Sequence, residues 1–85
     1  MSEIYLDSKI VGEAIAYCRN QKNLSQEVLS ALADIGRTHL SAIERGDRKP
    51  TLETFYKICL AMDLKPSVVF TEIERRIEET KLKKH

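Results

Sequence analysis

The fold is decided by residues 24–46, which read LSQEVLSALADIGRTHLSAIERG. Ser25 is a residue type that caps helix N-termini, and Gln26 and Glu27 suit the first turn of the helix that follows. Apolar residues then recur at helical spacing and are expected to face inward: Val28, Leu29, Leu32 and Ala33. Residues 34–36 interrupt this pattern, so they predict a turn.

A second short helix is predicted after the turn. Leu40 and Ile43 form its inward stripe, and Gly46 can adopt the left-handed conformation that closes a helix. Neither helix has enough apolar area to be stable alone, so the two must pack as a unit on a scaffold. A tight turn between two short helices predicts the helix-turn-helix geometry over residues 25–45.

The outward face of the second helix is small, polar and basic. It carries Arg37, Thr38, Ser41, Ala42 and Arg45, with His39 at its edge. Such a face suits an element that enters the major groove of DNA, because an arginine can donate two bonds to one guanine there. Arg37 could instead contact a phosphate or remain solvated, Thr38 could touch a thymine methyl group or a phosphate, and His39 could reach a phosphate or stay in water.

The rest of the chain also reads as helix. Ser8 can cap a first helix, Thr51 a fourth, and Pro66 suits the first position of a fifth. The fourth helix is expected to bury Leu52, Phe55, Ile58, Cys59 and Met62. Only Ile4-Tyr5-Leu6 could be a strand, so we expect an all-α chain of five helices.

Length and composition limit the class of protein. The 85 residues suit one domain, here 1–85, and a chain this short hides only about 60–65 % of its unfolded surface. No apolar run is long enough to span a membrane or form a signal-peptide core, so we expect a cytoplasmic protein without membrane association. Cys18 and Cys59 lie in apolar helical patterns, where buried reduced thiols are expected.

The charge total hides a local asymmetry. Lys and Arg number 14 against 13 Asp and Glu, yet residues 36–50 carry four basic side chains and two acidic ones. Arg48 and Lys49, in the loop that follows the second short helix, suit phosphate contacts, which set affinity rather than sequence choice. A basic surface loop without a partner is the alternative.

The chain resembles the lambda-repressor-like (Cro/Xre) helix-turn-helix family from about residue 11 to residue 70. The resemblance rests on Leu-Ser-Gln-Glu at 24–27, Ile-Glu-Arg-Gly at 43–46 and Pro-Thr-Leu-Glu-Thr at 50–54. Within the family, the short length, the run from Arg37 to Arg45 and the last helix look most like the controller proteins of restriction–modification systems.

The resemblance implies a role for individual residues. Gln26, His39, Arg45, Arg48 and Lys49 are expected on DNA phosphates. Arg37, Thr38, Ser41 and Ala42 are expected on base edges. Arg19 and Glu44 are expected to form a structural ion pair. Three positions depart from the family pattern: Asp34 where glycine is frequent, Ser30 where alanine is frequent, and Gly36 at the start of the recognition helix.

The last helical segment, about residues 64–80, is predicted to form a homodimer. Its apolar set is larger than a small core can cover: Leu64, Val68, Val69, Phe70, Ile73 and Ile77. A twofold dimer would place two recognition helices in successive major grooves about 34 Å apart. The expected target is therefore an imperfect palindrome.

An enzyme is not expected, because no nucleophile–histidine arrangement, phosphate loop or zinc-ligand spacing occurs. No cofactor and no small-molecule ligand are expected either. The sequence predicts a DNA-binding transcriptional regulator that acts on an operator. Two alternatives stay open at this point: an antitoxin that also binds a toxin, and a helical adaptor that has lost DNA binding.

Overall fold

A computed structural model describes residues 4–83, with side chains described for 4–82. These residues form five α-helices and no strand, as the sequence predicts. The helices are α1 (Ser8–Gln21), α2 (Gln26–Ala33), α3 (Arg37–Arg45), α4 (Leu52–Ala61) and α5 (Pro66–Lys83). Ile4-Tyr5-Leu6 is not a strand.

Side-chain caps start three of the helices. The Ser25 and Thr51 hydroxyls accept from the backbone N–H groups of Val28 and Thr54 at 3.1 and 3.0 Å. The cap of α1 is Asp7 rather than the predicted Ser8, because the Asp7 carboxylate accepts from Lys9 N–H at 2.8 Å. Ser8 is instead the first helical residue. These caps satisfy amide donors that a helix start leaves without partners.

Left-handed residues end the two helices of the helix-turn-helix. Asp34 closes α2 at φ 57° and Gly46 closes α3 at φ 84°. A short polar side chain tolerates this region better than most, so the turn survives the loss of the family's glycine at residue 34. Gly46 has a second constraint, since an added Cβ would lie 2.8 Å from the Cα of Lys9.

One apolar core joins all five helices. Helix α1 packs against α3 and α5, α2 packs against α3 and α4, and α4 packs against α5. The bulkiest side chains with almost no exposure are Ile15, Leu29, Leu40, Ile43, Ile58, Met62 and Ile73. Ser30 is also buried at the α2 position where alanine is frequent, and its hydroxyl donates to the Glu27 carbonyl at 3.0 Å. That bond satisfies the polar atom that the substitution buries.

Three predicted core residues are exposed. Val28 and Leu32 lie on the outer side of α2, and Leu52 in the first turn of α4 is 85 % exposed. Helix α2 is only eight residues long, and its contacts with α3 and α4 bury Leu29, Ser30 and Ala33 alone. Periodicity predicted a wider inward stripe than the neighbouring helices cover.

The apolar residues of α5 do not share one outward face. Val69 and Ile73, which were predicted to contact a second copy, lie in the protomer's own core and leave almost no exposed surface for such a contact. Leu64 and Ile77 are half-buried against that core. Val68 and Phe70 are exposed on different sides, because Val68 borders the α1–α5 groove and Phe70 borders the α4–α5 groove.

Charged contacts also hold α5 on α1. The Arg76 guanidinium of α5 lies 5.2 Å from the centre of the Tyr17 ring and 3.9 Å from the Glu13 carboxylate, both on α1, and it also bonds Glu72 of its own helix at 2.7 Å. Hydrogen bonds to Glu72 from Arg75, and to a lesser extent from Arg76, lower the pKa of the Glu72 carboxyl group.

Candidate nucleic-acid interface

Helix α3 is seated on α1 by close backbone contact. A Cβ added at Gly12 of α1 would lie 2.3 Å from the carbonyl oxygen of Ile43 and 2.6 Å from that of Glu44. Only a residue without a side chain permits this approach. Leu40 and Ile43 lie on the inner face of α3 and are fully buried, so the opposite face of the helix is directed toward solvent.

The exposed end of that face is the first turn of α3. Arg37 and Thr38 are exposed, whereas His39, Ser41 and Ala42 are partly covered. Gly36 caps the helix without a side-chain bond, its φ is −69°, and nothing lies within 4 Å of where its Cβ would be. The backbone conformation at position 36 therefore does not require a glycine. With no side chain there, the N-terminus of α3 is open to a ligand.

Arg19 and Glu44, the predicted ion pair, lie in contact beneath this face. Arg19 Nε and Nη2 donate to the two oxygens of Glu44 at 2.7 and 3.0 Å, and Nη1 donates to the Leu24 carbonyl at 2.8 Å. The side chains of Arg19 and Glu44 are only 13 % and 6 % exposed. The pair ties the end of α1 and the turn after it to α3.

Gln26 joins the same network. Its Nε2 donates to a Glu44 oxygen at 2.8 Å, so the amide of Gln26 is held in place before any ligand arrives. This bond joins the first residue of α2 to α3. Sequence reasoning assigned Gln26 to a phosphate but missed the bond that orients it, because the two residues are 18 positions apart.

The loop after α3 is pinned to the helix that precedes it. The backbone N–H groups of Asp47 and Arg48 both donate to the Ala42 carbonyl, at 2.9 and 3.3 Å. Arg48 and Lys49 project from this loop and are exposed. Within the described residues, neither side chain takes part in an ion pair.

Arg45 differs from its basic neighbours because it already has partners. Its Nη1 donates to the Ser41 hydroxyl at 2.6 Å and its Nε donates to the Asp47 carboxylate at 2.9 Å. Sequence reasoning counted Asp47 only as a charge. The sequence did offer a signal for this ion pair, because Asp47 follows the helix-terminal Arg45 by only two positions.

The two cysteines belong to the core rather than to a site. Burial raises the pKa of both thiols, that of Cys59 to about 12. Among the residues the structure describes, no cluster of His, Cys, Asp and Glu could hold a metal ion.

A second exposed surface is apolar. Leu52, Tyr56 and Leu60 recur every fourth residue along the outer side of α4 and are all exposed, and Phe70 of α5 lies beside Leu52 and Tyr56. The ring of Phe70 meets Phe55 edge to face with centroids 6.4 Å apart. We call these four residues, Leu52, Tyr56, Leu60 and Phe70, the α4 surface.

Two short helices around a left-handed turn, with a polar and basic outward face, define a helix-turn-helix DNA-binding protein. A family profile described as helix-turn-helix matches residues 15–69, and the chain belongs to this family, of the Cro/Xre type. No helix among the described residues has the length and apolarity to cross a membrane.

Control proteins of restriction–modification systems are among the relatives. The chain is 40 % identical to the control protein C.SmaI of Serratia marcescens over 65 residues, which is 75 % of each chain. The solved structure of the restriction–modification controller C.AhdI from Aeromonas hydrophila is 32 % identical, with a TM-score of 0.72 over 76 % of this chain and 98 % of that one. The wild-type controller C.Esp1396I is 28 % identical, with a TM-score of 0.79 over 88 % and 95 %.

These relatives confirm the predicted fold class and the predicted resemblance. The chain is a DNA-binding transcriptional regulator closely related to restriction–modification controllers, and its relatives are regulators rather than enzymes.

Proposed function

We propose that this chain controls a restriction–modification system in the cytoplasm by binding, as a homodimer, a palindromic operator near a promoter. The observation that carries the proposal is the outward face of α3, which is basic at its exposed first turn and held rigidly by Gly12 and by the Arg19–Glu44 pair. A rigid recognition helix presents its side chains to base edges with little loss of conformational freedom on binding.

Base reading is assigned to the face of α3. Arg37 and Thr38 are the exposed members, so they carry most of the readout, with Ser41 and Ala42 one turn further along. Arg37 can span O6 and N7 of a guanine, a contact worth about 1–3 kcal/mol of discrimination.

Phosphate contacts are assigned around that face. Gln26 stands at the N-terminus of α2, where its amide is oriented by Glu44, and His39 lies at the edge of α3. Arg48 and Lys49 supply charge from the following loop, and the charge that Arg45 supplies is offset in part by Asp47. Such contacts fix register and affinity rather than sequence.

The homodimer is assigned to the α4 surface, which includes Phe70 from the set predicted on the last helix. Four exposed large apolar side chains lie side by side there, whereas Val69 and Ile73 are internal. Contiguous exposed apolar surface of this kind marks an interaction site, and a twofold dimer would bury it against itself.

Two variants of matched exposure test this surface. Leu60 is 51 % exposed on α4 and Val68 is 49 % exposed in the α1–α5 groove. In sedimentation equilibrium, Leu60→Glu should yield monomers while Val68→Glu leaves the dimer intact. The reverse result would restore the interface that the sequence predicted at Val68.

DNA selection tests the operator. A random duplex pool is retained on the protein at near-physiological salt and sequenced. An enriched inverted repeat with half-sites about one helical turn apart, located upstream of endonuclease or methyltransferase genes, supports the proposal. Retention without a motif contradicts base reading, and no retention contradicts operator binding and leaves the antitoxin and adaptor alternatives.

Two further variants separate the assigned roles. Arg37→Ala should relax the selected motif at one base pair. Lys49→Ala should weaken binding to all sequences alike and reduce the salt slope by about one per protomer. Identical behaviour of the two variants would contradict the division between base and phosphate contacts.

A further inference from the structure

Arg45 occupies the last position of α3, where a free guanidinium would lie within reach of the DNA backbone. Two of its five N–H donors are already used, because its Nε–H points to Asp47 and one Nη1–H points to Ser41, although the side chain is 58 % exposed. Ser41 lies one helical turn earlier on the same outward face. The guanidinium therefore lies along the recognition face rather than extending from it.

The backbone of Asp47 is held close to the end of α3, next to Arg45. Its backbone N–H donates to the Ala42 carbonyl at 2.9 Å, and the left-handed Gly46 before it sets the direction of the chain. The backbone of Asp47 is thus positioned independently of Arg45. Removing the charge of Asp47 should leave the loop unchanged and release only the guanidinium.

The pair changes the electrostatics of DNA binding. Each phosphate neutralised by a basic side chain contributes about 0.9 to the slope of log K against log salt. Among the described residues Arg48 and Lys49 have no carboxylate paired with them, whereas the positive charge of Arg45 is offset by the Asp47 carboxylate 2.9 Å away. Binding to arbitrary sequence consists almost entirely of phosphate contacts, so withholding one cation weakens it directly.

Binding to the operator depends less on phosphate contacts than binding to arbitrary sequence does, because base contacts fix the position of α3 in the groove. In that register Ser41 lies against base edges, and Arg45, bound to Ser41, stays over the groove. We propose that Asp47 is a specificity-determining residue that withholds Arg45 from the backbone of non-operator DNA. The inference rests on the proposed placement of α3 in the major groove.

The test compares Asp47→Asn with Asp63→Asn. Both variants raise the net charge by one, both residues are exposed, and Asp63 lies in the turn between α4 and α5, away from α3. Asparagine also tolerates the left-handed conformation of Asp63, whose φ is 60°. Binding to the selected operator and to a scrambled duplex is measured between 50 and 200 mM salt by fluorescence anisotropy, a range set by the strong salt dependence of such binding.

Asp47→Asn should tighten binding to the scrambled duplex by up to about fivefold per protomer, the worth of an exposed ion pair, and steepen its salt slope. Operator affinity should change much less, so the specificity ratio falls. Adding Arg45→Ala to Asp47→Asn should remove the gain, whereas Asp63→Asn should show little of it.

Three results would overturn the inference. They are equal effects of Asp47→Asn and Asp63→Asn, equal tightening on operator and scrambled DNA, and persistence of the gain without Arg45. Each is distinct from failure of the proposed function, in which the wild-type protein would show no preference for any operator.

Discussion

Replacing Glu44 with alanine should destabilise the protein severely, because it leaves a buried cation without its counter-charge. Glu44 accepts three bonds, two from Arg19 and one from Gln26, at 2.7 to 3.0 Å. After the change, Arg19 keeps the Leu24 carbonyl at 2.8 Å and the Asn20 side chain at 3.4 Å. Breaking a buried pair from one side costs about 3–5 kcal/mol.

That loss is large against the total stability. A domain of 85 residues has about 4–13 kcal/mol of unfolding free energy at the usual values per residue. In urea, with a slope of about 1–2 kcal/mol/M, the midpoint should fall by roughly 1.5–5 M. Equilibrium unfolding followed by far-UV circular dichroism measures this shift.

Two controls separate the charge from the packing. Arg19→Met combined with Glu44→Leu removes both charges at similar volume and should recover most of the stability. Gln26→Ala removes one bond and leaves the ion pair, so it should cost about 1–2 kcal/mol. A loss below 1 kcal/mol in Glu44→Ala, or a double variant as unstable as the single one, would refute the reasoning.

Further perturbations address the α1–α3 contact, the buried thiols and the α5 charges. Gly12→Ala should cost about 3 kcal/mol and impair operator binding, because its Cβ would meet the α3 backbone; thermal unfolding and anisotropy measure both. Cys59 should resist a thiol reagent at pH 8 until urea unfolds the chain, since burial raises its pKa to about 12. Its contribution to stability should be fully present below pH 9 and be lost as the pH rises toward 12. Glu72→Gln should destabilise at pH 7, and the difference from wild type should vanish as the pH falls through the lowered pKa of Glu72, as urea midpoints across pH would show.

Much of the fold was predictable because local chemistry and global packing agree. Ser25 and Thr51 cap the predicted helices, Asp34 lies in the predicted turn, Gly46 takes the predicted left-handed conformation, and Pro66 begins the last helix. These features depend on the preferences of a few adjacent residues. Errors arose where a neighbouring helix decides burial, as at Leu32 and Leu52, which periodicity placed inside.

The candidate site was predictable only in part. The run from Arg37 to Arg45 indicates a recognition helix from its own spacing, and the family resemblance pairs Arg19 with Glu44. The bond from Gln26 to Glu44 was not foreseen, because it joins residues that only the folded chain brings together. The link between Arg45 and Asp47 is local in sequence, yet it depends on how the loop turns back onto Ala42.

The amino-acid sequence by itself therefore determined the helices, their ends and the class of protein, since capping, left-handed turns and apolar periodicity act over a few residues. Only the tertiary structure decided which apolar residues remain exposed. Val69 and Ile73 entered the core, and Leu52, Tyr56 and Leu60 stayed outside. The physical reason is that burial depends on the area that other helices cover, and five short helices cannot cover every apolar face of each one.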